Sequence, residues 1–300
     1  YAWPDKLAVI YSDRYRSAFI LVFLLSAMAV AMALAPIGWP ISAGRSGGGT
    51  STLLEMAAIV VILLVVLIGH ARKWHERWID YRLAAELLRH LRVVAPIAGE
   101  RPFPQVPAHH AAHGDPSATW MNWYVRAVAR SIGLPNAVVD QAHLKDALGC
   151  LEDLLKGQIE FHEKSARRSR AIERRLHAGI VLLLVLTLGA CVLHLLHVLV
   201  PGHVLTFFCG FFPALGAALA GINNQGEFRR VAKRSVAMQE NLVRVRRRVA
   251  ELRDRVEGSS QGQSFAAEVA ALSGEVARPL LHEVLDWRVV FLDRPLEVDP

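Results

Sequence analysis

Residues 179–200 read GIVLLLVLTLGACVLHLLHVLV, a stretch that contains no Asp, Glu, Lys or Arg. A helix needs about 20 predominantly apolar residues to cross the roughly 30 Å hydrocarbon core of a bilayer. This stretch therefore predicts a transmembrane helix, and the uncharged stretches at 17–36, 56–69 and 204–222 predict three more. The second is the shortest, and it extends back to Leu53 only if Glu55 is tolerated near a headgroup or inside a bundle.

Basic residues cluster on one side of the predicted spans. They are Lys6, Arg14 and Arg16 before the first span, Arg72, Lys73, Arg77 and Arg82 after the second, Arg167, Arg168, Arg170, Arg174 and Arg175 before the third, and Arg229, Arg230, Lys233 and Arg234 after the fourth. The loops at 37–52 and 201–203 carry one arginine between them. The positive-inside rule then predicts a multi-pass protein with both termini and the middle segment in the cytoplasm.

The composition agrees with a membrane protein, since 53% of residues are hydrophobic and 20% are charged. The net charge of +7 comes from 34 basic and 27 acidic residues. Attraction to anionic lipid contributes about 1 kcal/mol per Lys or Arg near the surface, so we expect an anionic inner leaflet as a partner. Nucleic-acid binding would need basic residues interleaved with exposed aromatics away from the bilayer, and no nucleic-acid partner is predicted.

Heptad stripes follow or precede the spans. The stripes are Trp74, Trp78, Tyr81, Ala85, Leu88 and Arg92; Leu144, Leu148, Leu151, Leu155, Ile159 and His162; and Val231, Ser235, Met238, Leu242, Val245, Val249, Leu252 and Val256. Such spacing is typical of coiled coils and packed helical stalks. The predicted fold class is an all-α integral membrane protein. Its four transmembrane helices form two hairpins, each continuing into long cytoplasmic amphipathic or coiled-coil helices.

Four segments follow in chain order. Residues 1–95 hold the first hairpin and its cytoplasmic helix, 96–119 a Pro- and His-rich linker, 120–257 cytoplasmic helices with the second hairpin and its coiled-coil helix, and 258–300 a C-terminal cytoplasmic segment. Residues 289–300 are expected to be a short strand or an extended tail. Because the chain begins at Tyr1 without a signal pattern, we expect it to be cut from a longer polypeptide with a sensor domain upstream.

No catalytic, cofactor-binding or metal-binding residue is predicted. Thr50 stands where a phosphate-binding loop needs lysine, and Ile79 and Asp286 replace the second histidine of a zinc-protease pattern. Histidines 109, 110 and 113 lie in the proline-rich linker. Their spacing could bind a transition metal, but a solvated loop is the favoured interpretation. No enzyme activity is therefore expected.

Three polar residues lie within or beside the spans. Glu55, His194 and His197 are candidate intramembrane polar residues, and such residues are functional hypotheses by default. The simpler interpretation places the two histidines near the outer headgroups, with Glu55 at an outer edge. Cys191 shares the histidine face, but no second histidine at equal depth supports haem binding.

The fourth span contains a run of small residues after Pro213. Small side chains at Gly216 and Gly221 allow helix backbones to approach closely, either within this protein or between copies of it. At the inner end, Asn223, Asn224 and Gln225 could ring an opening in a homo-oligomer. The competing interpretation is an ordinary amide-rich end of a span.

Two segments resemble a known family. Residues 73–89, KWHERWIDYRLAAELLR, and residues 212–216, FPALG, running into 225–230, QGEFRR, are similar to bacterial SLATT proteins, the SMODS- and SLOG-associating two-transmembrane effectors. The resemblance covers the hairpins and their helices, although this chain has two hairpins where one is typical. It implies a pore-forming effector in the bacterial inner membrane that acts downstream of a nucleotide-sensing domain in antiphage defence.

Two alternative functions are therefore expected. The first is an oligomeric, pore- or channel-forming membrane effector gated by a cytoplasmic domain outside this chain, in bacterial defence or stress signalling. The second is a passive membrane anchor and dimerisation platform for an upstream sensor or enzyme. An integral membrane enzyme would need paired carboxylates or same-depth histidines within the spans, which the sequence lacks.

Overall fold

The computed structural model describes residues 2–39, 47–97, 119–133, 138–196, 200–259 and 262–292. These residues are almost entirely helical and include no strand. The helices are α1 (Ala2–Gly38), α2 (Gly47–Ala71), α3 (Trp74–Val94), α4 (Trp120–Ile132), α5 (Gln141–Leu196), α6 (Gly202–Gly226), α7 (Phe228–Gly258) and α8 (Ala266–Leu292), with a 3-10 turn at Gly262–Phe265 before α8.

Four of the helical stretches are long and apolar enough to cross a membrane. The predicted spans lie inside α1, α2, α5 and α6, so the prediction of an all-helical, membrane-type chain is confirmed at that level. Gly149 and Gly157 do not interrupt α5, although each costs a helix about 1 kcal/mol relative to alanine.

Two boundaries differ from the sequence predictions. The loop predicted at 37–52 is shorter, because α1 reaches Gly38 and α2 begins at Gly47. The prediction of a strand or tail from residue 289 is wrong up to Leu292, since α8 continues to that residue. Apolar residues such as Leu281 and Leu285 anchor that helix in a buried cluster. Residues 98–118, most of the predicted linker, lie outside the described part of the chain.

Contacts divide the chain into two compact units. The first, here called the bundle unit, comprises Tyr1–Ser12, His75–Ala166 and Lys233–Pro295. The second, here called the span unit, comprises Asp13–Trp74, Arg167–Ala232 and Leu296–Pro300. The division takes pieces from all parts of the chain, whereas the four predicted segments follow chain order.

The core of the bundle unit combines predicted heptad positions of α5 and α7 with residues of α8 that no stripe predicted. The buried members are Leu144, Leu148, Leu151 and Leu155 of α5, Leu242, Val245, Val249, Leu252 and Val256 of α7, and Val269, Leu272, Val276, Ala277 and Leu280 of α8. Each fully buried Leu or Val contributes about 1.5–3 kcal/mol through the hydrophobic effect. The heptad spacing thus identified the buried residues of α5 and α7, while a coiled-coil arrangement stays a prediction.

Aromatic rings join the first residues of α1 to α3 and α4. The ring of Tyr81 stacks on Tyr11 at 5.6 Å between centroids and meets Trp3 edge-on at 5.7 Å. It also meets Trp120 edge-on at 5.6 Å. Arg77 donates a 3.0 Å hydrogen bond to the hydroxyl of Tyr11. Such ring pairs add about 0.5–1.5 kcal/mol each beyond the area they bury.

In the span unit, α6 packs against α1 in an antiparallel direction. A carbon added at Gly210 would lie 2.5 Å from Cδ1 of Leu34, and one added at Gly221 would overlap the ring of Phe23. Residue numbers rise along α6 as they fall along α1. The two-hairpin prediction does not include this contact, and the pairing of α1 with α2 stays a prediction.

The same helix also runs antiparallel to α5. A carbon added at Gly179 would lie 3.2 Å from Cδ1 of Leu219, and Sγ of Cys191 lies 3.4 Å from Sγ of Cys209. Helix α6 is therefore in contact with both α1 and α5.

One left-handed residue lies between α2 and α3, and another lies between α6 and α7. Lys73 has φ 51° and Glu227 has φ 48°, the two positive values among non-glycine residues of the described ranges. The backbone N–H of Lys73 donates to the carbonyl of His70, and that of Glu227 donates to the carbonyl of Asn224. The left-handed conformation costs a non-glycine residue about 1–2 kcal/mol, so packing around Lys73 and Glu227 must stabilise it. These two positions are here called the joints.

Glycines and aromatic rings supply that packing. The helix after each joint begins with an aromatic residue, Trp74 or Phe228. A carbon added at Gly69 would lie 3.4 Å from Cε3 of Trp74, and one added at Gly226 would overlap the ring of Phe228. The two halves of the chain thus share the same local construction at equivalent places.

Candidate functional site

The amide side chains predicted at the end of the fourth span lie in the last turn of α6. Nε2 of Gln225 donates a 2.5 Å hydrogen bond to the hydroxyl of Tyr15 in α1. Oδ1 of Asn223 is buried and has no hydrogen-bond partner within the described ranges. Asn224 is exposed. The three amides therefore differ, because Gln225 holds α6 to α1 while Asn224 faces outward.

One face of α6 is exposed and carries only small or polar side chains. Its residues are Thr206, Pro213, Ala217, Ala220 and Asn224. Their spacing of seven, four, three and four residues places them along a single stripe of the helix. Large apolar side chains, such as Leu63 and Leu67 of α2 and Leu184 and Leu188 of α5, cover the exposed faces of two other spans. The α6 stripe thus differs from a surface built to contact lipid tails.

The predicted glycines of α6 lie on a different side from that stripe. Gly221 faces the ring of Phe23 in α1, so its role is a close approach within the chain. Gly216 is buried, and a carbon added there would come no closer than 3.9 Å to Cβ of Leu183 in α5. Pro213, by contrast, belongs to the exposed stripe.

The candidate intramembrane polar residues that the structure describes lie in two different helices. Glu55 lies in α2 and is half-buried. His194 is exposed near the end of α5, with its ring against the start of α6 at Gly202. His197 lies outside the described residues. Within the described ranges, no three His, Cys, Asp or Glu side chains are grouped as a metal ion would require.

A buried charged cluster in the bundle unit was not predicted from the sequence. The carboxylate of Glu86 is 3% exposed, and both of its oxygens accept hydrogen bonds from Nη1 of Arg89, which is 9% exposed. Nη2 of Arg82 lies 3.1 Å from Oε1 of Glu86. Nη1 of the same arginine lies 3.6 Å from Oδ1 of Asp5 in α1. Because buried charges must be paired to be tolerated, Glu86 can be buried only with these arginines beside it.

His162 of α5 belongs to the same region. Its Nε2 lies 3.6 Å from Oε2 of Glu283 in α8, and its Nδ1 is buried without a hydrogen-bond partner among the described residues. Burial, with a smaller contribution from the positive charges of Arg82 and Arg89, lowers the pKa of His162 to about 4. The imidazole is therefore neutral at physiological pH.

This histidine makes stability depend on pH in a defined window. Because the pKa is about 4 when folded and 6.5 for an ordinary histidine, the unfolded chain binds the proton more tightly. Stability is then fully present above pH 6.5 and is lost as the pH falls toward 4, by up to about 3 kcal/mol. The carboxylate of Glu283 offsets part of this loss, because it favours the imidazolium.

We expect the thermal unfolding temperature of the detergent-solubilised protein to fall more steeply between pH 6.5 and 4 than that of the variant His162→Gln. The difference between the two slopes isolates this histidine from the other titrating groups. Parallel slopes would show that the imidazole at this position is readily protonated in the folded state.

One indication of the buried polar residues in the bundle unit was present in the sequence. His162 ends a stripe of otherwise apolar heptad positions, which marks it as a polar residue facing a core. Glu86 and Arg89 gave no such signal, because they lie off the predicted stripe of α3. That helix buries His75, Ile79, Leu83, Ala84, Ala85, Glu86, Leu88, Arg89, His90, Leu91, Val93 and Val94.

Comparison with known proteins relates the first part of the chain to a family model. A family model described as a protein of unknown function, DUF4231, matches residues 1–103, about a third of the chain. The matched residues include α1, α2 and α3. No curated protein and no solved structure matches the chain. The match therefore places the first part of the chain beside a family whose own function is unassigned.

Proposed function

We propose that this chain is the membrane module of an oligomeric, pore-forming effector. In this proposal α1, α2, α5 and α6 cross the bacterial inner membrane with both termini in the cytoplasm. The basic residues flanking the spans bind anionic inner-leaflet lipid. A sensor domain on the same polypeptide, upstream of Tyr1, controls the pore in bacterial defence or stress signalling, as the resemblance to SLATT proteins implies.

The exposed stripe of α6 is the observation that carries the proposal. Small and polar side chains gain little from lipid tails, whereas they pack well against another helix or line a water-filled path. The stripe ends at the exposed amide of Asn224, next to the buried amide oxygen of Asn223. Copies of the chain that meet through α6 would gather these amides at one mouth of an opening.

The bundle unit supplies a means of control in this proposal. Helices α5 and α7 contribute heptad residues to its core and are continuous with, or joined to, helices of the span unit. A signal from the sensor would change how these helices pack, and the change would be passed along the chain to α6. Two discrete packings of such a core are sufficient for a gate.

Ion flux through liposomes that contain the purified protein tests the proposal. The size of the oligomer should be determined in the same detergent before reconstitution. We expect flux from a defined oligomer. A sealed membrane around a well-formed oligomer would favour the passive anchor and dimerisation platform instead.

A further inference from the structure

Two of the three cysteines meet between neighbouring spans. Sγ of Cys191 in α5 lies 3.4 Å from Sγ of Cys209 in α6. The two cysteines lie 18 positions apart in the sequence. Their contact depends on the antiparallel packing of the two helices.

The register of that packing is fixed on both sides of the thiols. Toward one end of the pair, Leu219 of α6 lies against Gly179, and Leu183 of α5 lies beside Gly216. Toward the other end, the ring of His194 lies against Gly202. The sulfur atoms are thus held in contact by the helices themselves.

The two sulfurs are in van der Waals contact and are not bonded. A disulfide has an S–S length of about 2.05 Å, so bonding requires the two sulfurs to approach by roughly 1.4 Å.

We propose that Cys191 and Cys209 form a redox modification site whose oxidant is a small neutral peroxide. Hydrogen peroxide carries no charge and can reach thiols within an apolar segment. In the first step the sulfur of one thiol attacks the O–O bond, which gives a sulfenic acid and releases water. In the second step the other thiol attacks the sulfenic sulfur, forms the S–S bond and releases a second water.

The overall reaction consumes two thiols and one hydrogen peroxide and gives one disulfide and two waters. The two sulfurs lose two electrons, and the two peroxide oxygens gain them. A dithiol reductant reverses the bond by exchange. The disulfide ties α5 to α6 covalently, and this chemistry holds whether or not the protein forms a pore.

The proposal is tested on the full chain in lipid nanodiscs. After exposure to hydrogen peroxide, the protein is unfolded in the presence of an alkylating reagent, digested and analysed by mass spectrometry. We expect Cys191 and Cys209 to lose alkylation together, in a cross-linked peptide lacking two hydrogen atoms. Dithiothreitol should restore both thiols. Because the two sulfurs are in contact, this bond should form at least about tenfold faster than any intermolecular disulfide.

Cys150 provides the matched control, since it is exposed in the bundle unit and has no cysteine neighbour among the described residues. The variant Cys150→Ser should give the same cross-linked peptide at the same rate. The variant Cys209→Ser should leave Cys191 as a sulfenic or higher oxide without a bond within the chain. Independent oxidation of Cys191 and Cys209 in the unaltered protein, or a bond formed only between separate chains, would overturn the proposal.

Discussion

The variant Glu86→Leu is expected to lower the free energy of unfolding by about 3–5 kcal/mol, the usual cost of removing one partner of a buried ion pair. The carboxylate of Glu86 balances the positive charges of Arg89 and Arg82. Without it, the buried guanidinium of Arg89 would lose this carboxylate, while Arg82 would keep that of Asp5. The measurement is chemical or thermal unfolding of the purified protein in detergent.

The double variant Glu86→Leu with Arg89→Met separates charge from shape. Replacing both members of a buried pair by apolar residues is often neutral or stabilising, so the double variant should be more stable than Glu86→Leu alone. The exposed pair of Arg248 and Glu275 is the control, because both side chains are about half exposed. Glu275→Leu should change stability by less than about 1 kcal/mol. Equal effects at the buried and the exposed pair would contradict the role given to the cluster.

The variant Ala220→Leu is expected to reduce ion flux in liposomes by more than tenfold and to dissociate the oligomer. Ala220 lies on the small, exposed stripe of α6, where a leucine would keep a second helix from approaching. Its side chain points away from α1 and α5, so the fold of a single chain should survive. Membrane insertion and helix content are measured by carbonate extraction and circular dichroism.

A matched control is available in another span. Ala57 of α2 is also exposed, and its neighbours on the exposed surface are large apolar residues. The variant Ala57→Leu should leave flux and oligomer size unchanged. Gly221→Leu is a poorer probe, because the added side chain would overlap Phe23 within the same chain. Normal flux from an intact oligomer of Ala220→Leu would refute a role for this stripe in the pore.

Local patterns were sufficient to predict the spans and most of the core. Uncharged length identified the four membrane-type helices, and heptad spacing identified residues such as Leu148 and Val249 as buried. Both signals are carried by residues close together in the sequence. They are also dominated by apolar side chains, whose preference for burial depends little on the partner.

Contacts between distant residues could not be predicted in this way. The stripe of α3 indicated one buried face, but α1, α4 and α8 all contact that helix, so Glu86 is buried although it lies off the stripe. Gly221 indicated a close helix approach without naming Phe23 as the neighbour. The contact between Cys191 and Cys209 could not be predicted either, because it also joins residues that are distant in the sequence.

The joints could not be predicted from the sequence for a different reason. Glycine is the usual sequence signal for a left-handed residue, and these positions are occupied by Lys73 and Glu227. Gly226 lies one position too early and serves the ring of Phe228 instead. The sequence therefore does not predict the interruptions of the helix that the structure shows at Lys73 and Glu227.

The identity of these two residues gives each joint a mechanical character. A glycine would allow a wide range of φ and ψ values. A residue with a side chain has only a small left-handed allowed region, beside a much larger right-handed one. The right-handed conformation, which would continue a helix, is therefore the lower-energy alternative at Lys73 and Glu227. Contacts around these residues hold the left-handed one, among them those of the Trp74 ring beside Gly69 and the Phe228 ring beside Gly226.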